Sequence, residues 1–265
     1  MNKKYFTPKK IHAYLRAAIQ LVFFLFLPSA FTTAFSGIKS VLTQIGAGNP
    51  IAWSSFLTVL LALCAYTIVF GRFFCGYACA FGTLGDAVHS LYLFLCKKCK
   101  KKPLLLKKSW KKPLSYLKYA VLLAVVLLCF LGVYGDLTGW SPWDVFSMLR
   151  SGNFKVGAYW LGCILLVLIL VGMVFCERFF CRFLCPMGAV FSLLPILPFF
   201  SVRRKREKCA KGCTACEKVC PSDLSLPEDG SWNVSGDCFQ CQKCLEICPK
   251  KNAKSSIRNF RGNEI

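Results

Sequence analysis

The sequence predicts an all-α membrane domain of four transmembrane helices, arranged as two parallel repeats, followed by a small α+β domain. Three observations lead there. A mean hydropathy of +0.50 coexists with a net charge of +22, the combination that apolar runs separated by basic runs produce. Four of the apolar runs are long enough to cross a bilayer. A cysteine-bearing motif after the second run returns after the fourth, 106 residues later.

The spans are expected at 17–35, 51–70, 117–134 and 158–175. Each holds about 18–20 mostly apolar residues, the length that crosses the hydrocarbon core as a helix. Pro28 should kink the first. That run, preceded by basic residues, also resembles a signal peptide cleaved after Ala34; the repeat needs it as a span, so retention is expected. The apolar stretches 81–95 and 187–200 are too short to span, and Pro195 and Pro198 break the second. Interfacial or re-entrant segments are expected there.

Positive charge sets the orientation. Lys3, Lys4, Lys9, Lys10 and Arg16 precede or open the first span, ten lysines lie between Lys97 and Lys118, and Arg203, Arg204, Lys205 and Arg206 follow the fourth. The other two connections, 36–50 and 135–157, hold only Lys39, Arg150 and Lys155. Both termini are therefore expected in the cytoplasm. The lysine run is first a topology signal and second an attraction for anionic headgroups. Because the basic residues flank membrane-length runs, no nucleic-acid partner is expected.

The chain has 18 cysteines and two histidines, His12 and His89. Neither outer connection contains a cysteine. On the cytoplasmic, reducing side, metal ligation is expected ahead of disulfides. Cys64, Cys129 and Cys163 fall inside spans and read as packing residues, Cys176 as a span-end residue, and Cys96 and Cys99 as exposed thiols in a lysine run.

The tail carries the most specific chemistry. Residues 238–249 read C-F-Q-C-Q-K-C-L-E-I-C-P, and residues 209–221 read C-A-K-G-C-T-A-C-E-K-V-C-P, the same run with one more residue in the first gap. Cys-x2-Cys-x2-Cys-x3-Cys-Pro is the bacterial two-cluster run, whose fourth cysteine ligates the other cluster. Cys238, Cys241, Cys244 and Cys220 are thus expected to hold one [4Fe–4S] cluster, and Cys209, Cys213, Cys216 and Cys248 the other. Four-thiolate zinc sites are the competing reading; two runs that each end Cys-Pro argue for iron. Complete thiolate ligation leaves no iron open to substrate, so electron transfer is expected and no catalytic residue is assigned. The basic residues around the clusters favour an acidic partner or hold the tail to the membrane.

The repeated motif reads G-R-F-F-C-G-Y-A-C-A-F-G from Gly71 and E-R-F-F-C-R-F-L-C-P-M-G from Glu177. Two spans return the chain to its starting side, so the halves share one orientation, and such repeats are usually related by an axis along the membrane normal. This would bring Cys75, Cys79, Cys181 and Cys185 to one depth at the cytoplasmic interface. They are candidates for a further iron site or small cluster, or for a thiol–disulfide couple; packing cysteines are the alternative. No Cys-x2-Cys-His for an attached haem and no phosphate-binding glycine loop occurs, and neither histidine lies in a span. NADH oxidation or ATP hydrolysis by this chain alone is not expected. His89 is a candidate proton acceptor near the interface, with capping or packing the commoner role.

Four spans, two Cys-x3-Cys elements and a twin-cluster tail together resemble the NapH-like membrane ferredoxins, which include the quinol dehydrogenase membrane component of periplasmic nitrate reductase and the iron–sulfur half of the regulator NosR. Ser141-Pro142-Trp143 is also similar to the family. The first element departs from it, with Cys79-Ala80 where Cys-Pro is usual, and the flavin-binding domain of NosR-type members has no counterpart in these residues. The resemblance implies electron exchange among quinol, cytoplasmic carriers and an extracytoplasmic reductase.

The expected organisation is a four-span membrane domain, residues 1–200, and a cytoplasmic ferredoxin-like α+β domain, residues 201–265. The expected function is electron transfer between a cytoplasmic or quinone donor and a membrane or extracytoplasmic redox partner, as a subunit of an oxidoreductase complex. Redox-dependent assembly or regulation of a metalloenzyme, and structural anchoring of a partner reductase, are the alternatives.

Overall fold

The computed structural model describes residues 8–26, 30–135, 141–150, 152–153, 157–195, 200–250 and 252–257. Lys3, Lys4, Pro28, Lys155, Pro198 and Lys251 lie outside the described residues, as do the side chains of Lys9, Lys10, His12 and Arg150.

The chain is mainly helical. The first expected span is two helices, α1 (Pro8–Phe26) and α2 (Ala30–Gly46), bent by 59° across the break that contains Pro28. Next come α3 (Ser55–Phe70), the single-turn α4 (Phe73–Tyr77) and α5 (Ala80–Lys98). Ser54 caps α3, its hydroxyl accepting from the Leu57 amide, so the helix starts four residues later than its apolar run. After the lysine segment, α6 (Lys108–Leu114) and α7 (Leu117–Phe130) follow, then α8 (Pro142–Arg150). The second half repeats the pattern of the first: α9 (Trp160–Phe175), the single-turn α10 (Phe179–Phe183) and α11 (Pro186–Leu193). The single-turn helices α4 and α10 match end for end at the 106-residue offset, and α5 and α11 start in register.

The helix lengths differ from the expected spans. Among the described residues, one stretch, Lys108–Phe130, is by itself long and apolar enough to cross a membrane, and the bent α1–α2 pair is a second if taken as one span. The third expected span is thus displaced toward the lysine run. α3 and α9 are apolar but have 16 residues each, a rise of about 24 Å against a hydrocarbon core of about 30 Å. Both are short because they begin late, at Ser55 and Trp160; their ends, Phe70 and Phe175, fall where the expected spans end, and there the chain turns, at Gly71 with φ +67° and at the extended Cys176, to enter the single-turn helices.

The core is aromatic. Phe31 meets Phe81 and Phe180 edge-on at 5.6 and 5.9 Å, and Trp143 meets Phe35 at 5.0 Å. Such pairs add about 0.5–1.5 kcal/mol each beyond area burial. The tail is α+β. Strands β1 (Phe200–Lys205), β2 (Asp229–Trp232) and β3 (Lys254–Ile257) form an antiparallel sheet in the order β2-β1-β3, with α12 (Ala215–Lys218) and α13 (Lys243–Ile247) carrying cysteines beside it.

Candidate functional site

The two halves meet at four buried cysteines. Cys75 and Cys181 sit on α4 and α10, and Cys79 and Cys185 are the residues that open α5 and α11. Their φ/ψ values, −71°/123° at Cys79 and −73°/113° at Cys185, are nearly the same. Ala80 therefore holds the first-turn position that Pro186 holds, and the missing proline leaves the local backbone unchanged. The four thiols share one core. Cys181 and Cys79 interact, which lowers the pKa of the Cys79 thiol and raises that of Cys181. Among the described residues no group of three or more His, Cys, Asp or Glu side chains is placed to hold a single metal ion, so the direct one-ion version of this site is not what the geometry offers. A multi-iron cluster spaces its thiolates more widely, because each binds a different iron.

Two arginines lock this arrangement by exchange. Arg178 Nη1 donates to the Cys75 carbonyl at 2.6 Å, and Arg72 Nη2 donates to the Cys181 carbonyl at 3.3 Å. Each arginine thus serves the first cysteine of the other half, and both are 1% exposed or less. Their counter-ions differ. Arg178 grips Asp86 of α5 bidentately at 2.9 and 2.6 Å, with Gln20 Nε2 also donating to Asp86 at 2.8 Å. Burial alone would raise the Asp86 carboxyl; the Arg178 charge and hydrogen bonds outweigh it and hold the group well below the usual carboxylate range. At the offset of 106, Asp86 corresponds to Ser192, and the acid opposite Arg72 comes instead from the tail: Asp237, which also pairs with the buried Lys118.

The tail docks onto this centre. Phe239, between the first two cysteines of its run, lies under both guanidinium groups, 4.6 Å from Arg72 and 5.2 Å from Arg178. A Cβ on Gly76 would stand 2.3 Å from the Phe239 carbonyl oxygen, so only glycine lets the loop approach. The equivalent position in the second half is Arg182, which reaches out to the Pro221 carbonyl and to Asp223, each at 2.7 Å. Arg16 donates to the Cys241 carbonyl at 3.1 Å, and Lys243 pairs with Glu177. Cys241 is consequently part of the main core and not of a separate tail core.

Cys220, Cys238, Cys241 and Cys244, expected as one group, line one cavity together with Cys216 of the other expected group. In the other group, Asn252 bridges the first and last members: its side-chain amide donates to Cys209 Sγ at 3.2 Å and its backbone amide to Cys248 Sγ at 3.3 Å. Arg204, buried by the sheet, donates to Cys216 Sγ at 3.0 Å, and Arg206 donates to the Cys213 carbonyl at 2.9 Å. Thiolates that accept N–H donors are a donor set that suits an iron–sulfur cluster.

A family model described as "4Fe-4S binding domain" matches residues 52–113 and 158–206. An uncharacterized protein of Methanocaldococcus jannaschii is 30% identical over 243 residues, covering 91% of this chain and 92% of the relative. The putative electron transport protein YccM of Escherichia coli is 26% identical over 219 residues, 81% of this chain and 59% of YccM. The ferredoxin-type protein NapH of Haemophilus influenzae is 27% identical over 205 residues, 73% of this chain and 65% of NapH. No solved structure matches the chain significantly. This chain belongs to the NapH/NosR-like family of ferredoxin-type iron–sulfur electron transport proteins.

The family model covers the two Cys-x3-Cys elements with their preceding helices and ends before Cys209. In this family member the duplicated element is therefore as much a family feature as the tail. Ser141 and Trp143, at the start of α8, are buried in the aromatic core, which gives that shared tripeptide a packing role. Cys129 is buried, Cys64 and Cys163 pack partly buried against the core, Cys176 is buried where α9 ends, and Cys99 is exposed. None of these joins either tail group. His89 Nδ1 lies 3.0 Å from the Val174 carbonyl at the end of α9, a packing contact between halves, and burial lowers its pKa. The residues that sequence reasoning passed over are Arg72, Arg178, Asp86, Gln20, Asp237, Phe239 and Asn252. Arg72 and Arg178 had a signal, since the repeat keeps an arginine in an apolar motif; Asp86 had one as a lone acid in an apolar stretch.

Proposed function

We propose that this family member is a multi-pass membrane electron carrier with three iron–sulfur centres in series. Cys209, Cys213, Cys216 and Cys248 hold an outer [4Fe–4S] cluster, Cys220, Cys238, Cys241 and Cys244 an inner one, and Cys75, Cys79, Cys181 and Cys185 a further cluster between the halves. The observation that carries this reading is the seam at Phe239. The inner group's cavity is walled by Phe239 and Cys241, and these same residues pack on Gly76, Arg72 and Arg178 of the four-cysteine centre. Bound clusters would supply one-electron carriage at each group. The protein's own residues hold the thiolates, exclude water and set the local field: Arg72 and Arg178 place two permanent positive charges beside Cys75 and Cys181, which favours the reduced, more negative state.

Residues 1–200 are read as the membrane domain, with α1–α2, α3, α7 and α9 as its spans and both termini and residues 201–265 cytoplasmic. Supporting this, Leu123, Leu127, Val167, Leu168 and Val171 project apolar surface away from the core, a pattern that water-exposed faces rarely carry. Short α3 and α9 are accommodated where the single-turn helices complete the cytoplasmic half of the layer. A cytoplasmic or quinone donor and a membrane or extracytoplasmic redox partner complete the chain.

Iron and sulfide analysis of anaerobically purified protein, with low-temperature EPR after reduction, tests the reading. About eight irons are expected from the two tail clusters, with additional iron from the four-cysteine centre. Cys181→Ser should remove only the additional iron and leave the tail signals in place. Zinc in place of iron would sink the proposal, and an unchanged iron content in Cys181→Ser would sink the third centre alone.

A further inference from the structure

On the far side of Phe239 from the inner cysteine group lies a second cavity, of about 810 Å³. This is within the size range of sites for small ligands, about 300–1,000 Å³. Its walls come from three separated parts of the chain: the lysine segment at α6, the arginines of the duplicated element, and the tail loops around Ser222 and Asp237. Five cations line it, namely Arg72, Lys108, Lys112, Lys118 and Arg182.

Two acids, Asp223 and Asp237, also line it, but both are already engaged. Asp223 pairs with Arg182 at 2.7 Å and with Lys111 at 3.4 Å; Asp237 pairs with Lys118 and with Arg72 at 3.4 Å. The lining therefore keeps an excess of positive charge. Lys108 and Lys112 have no ion-pair partner among the described residues, and Arg72 Nε is buried without a hydrogen-bond acceptor. Ser109 and Tyr116 add hydroxyl donors to the lining, while the Ser115 hydroxyl donates to the Lys112 carbonyl at 2.7 Å.

We infer that this cavity binds a phosphate-bearing anion. Lysines from one segment, an arginine from each repeat and hydroxyl donors converge on one space, the donor set that recognises a tetrahedral oxyanion. The cavity opens at the lysine-rich start of the apolar stretch Lys108–Phe130, where a phosphodiester headgroup would lie if that stretch spans; a soluble phosphate compound presents the same chemistry. The site stands on the donor set and not on the iron assignment. It also touches the redox centre, since Arg72 lines the cavity and donates to the Cys181 carbonyl.

The test is calorimetric titration of detergent-solubilised holoprotein with short-chain phosphatidylglycerol and, separately, with inorganic pyrophosphate. The variants are the double substitution K108Q/K112Q in the cavity and K101Q/K102Q, two exposed lysines of the same run outside it. The cavity double is expected to bind about tenfold more weakly, with the control double within about twofold of wild type. Binding of the lipid alone identifies a membrane phosphodiester as the ligand; binding of pyrophosphate as well identifies a soluble phosphate compound. The inference is overturned if neither probe binds, if the cavity double binds like wild type, or if both doubles weaken alike, which would mean diffuse surface attraction. Unchanged iron content and EPR signals in both doubles separate this result from any failure of the iron–sulfur reading.

Discussion

A guanidinium group with no exposed surface has to be matched at every N–H or it destabilises the fold. Arg178 matches four of its five N–H groups, with Asp86 and the Cys75 and Gly76 carbonyls, from a left-handed backbone conformation, φ +57°. Removing one partner of a buried ion pair costs about 3–5 kcal/mol, because the other charge is stranded. Asp86→Asn should lower thermal stability in detergent by that order at neutral pH, seen as a drop in Tm. The pH dependence follows from the direction of the Asp86 shift. Its folded-state pKa lies below the unfolded value of about 3.9, so its stabilising contribution is complete above that value and is lost as pH falls through the folded-state pKa. The Tm gap between wild type and Asp86→Asn should therefore be constant from neutral pH down to about 5 and shrink in stronger acid. A gap that stays constant through strong acid would show that Asp86 acts by packing and not by charge. At this scale the cysteine runs are legible in the sequence, because ligand spacing is a local property: Cys238, Cys241 and Cys244 lie within seven residues. The Arg178–Asp86 pair was not, because its partners stand 92 residues apart and only the fold brings them together.

Between elements, the informative surface is the one where the tail meets the helices. Gly76 faces the Phe239 carbonyl, and Gly236 faces the Ser192 carbonyl, where a Cβ would also come within 2.3 Å. Two glycines on opposite sides of one seam mean backbone pressed on backbone, with no side chain available to yield. Gly76→Ala should loosen the tail without unfolding the helices. Limited proteolysis should then cut the segment after Phe200 faster than in wild type, while the far-UV helical signal stays the same; equal cleavage rates would show that the loop can shift at little cost. Sequence reasoning placed the tail as a separate α+β unit, and its three strands and short helices bear out the secondary structure. It did not foresee that Cys241 and Phe239 belong to the core of the helical part, since a spacing motif gives ligand identity but not docking. Helix starts are less legible than helix ends: hydropathy follows apolar runs, whereas the Ser54 cap decides where α3 begins, and the ends of α3 and α9, before Gly71 and Cys176, coincide with the ends of their apolar runs.

Taken as a whole, the molecule is polarised. α7 and α9 carry outward apolar surface, whereas the lysine segment and the tail loops around Ser222 and Asp237 share one polar cavity. Reporter fusions after residues 45, 100, 145 and 265 should read external, internal, external and internal. An external signal at 265 would reverse the orientation and place the tail cysteines in an oxidising compartment. The charge asymmetry that sets this expectation was plain in the sequence, because lysines are counted without knowing the fold. The single-turn helices that let short α3 and α9 deliver their cysteines to one point were hidden, because they lie in motifs that read equally well as loops. The exchanged arginines carry a further consequence, for ancestry. Each arginine satisfies a carbonyl in the opposite half, so half a chain would leave its own arginine unmatched and its first cysteine unanchored. Such an exchange closes on itself only when two copies face each other. Two copies of a half-length chain with the Arg-Phe-Phe-Cys motif would make the same exchange between them, and fusing the two genes would leave this contact as it is. What fusion permitted was divergence at the matched positions: Gly76 against Arg182, and Asp86 against Ser192. Those are the places where a single tail had to be seated on two halves built alike.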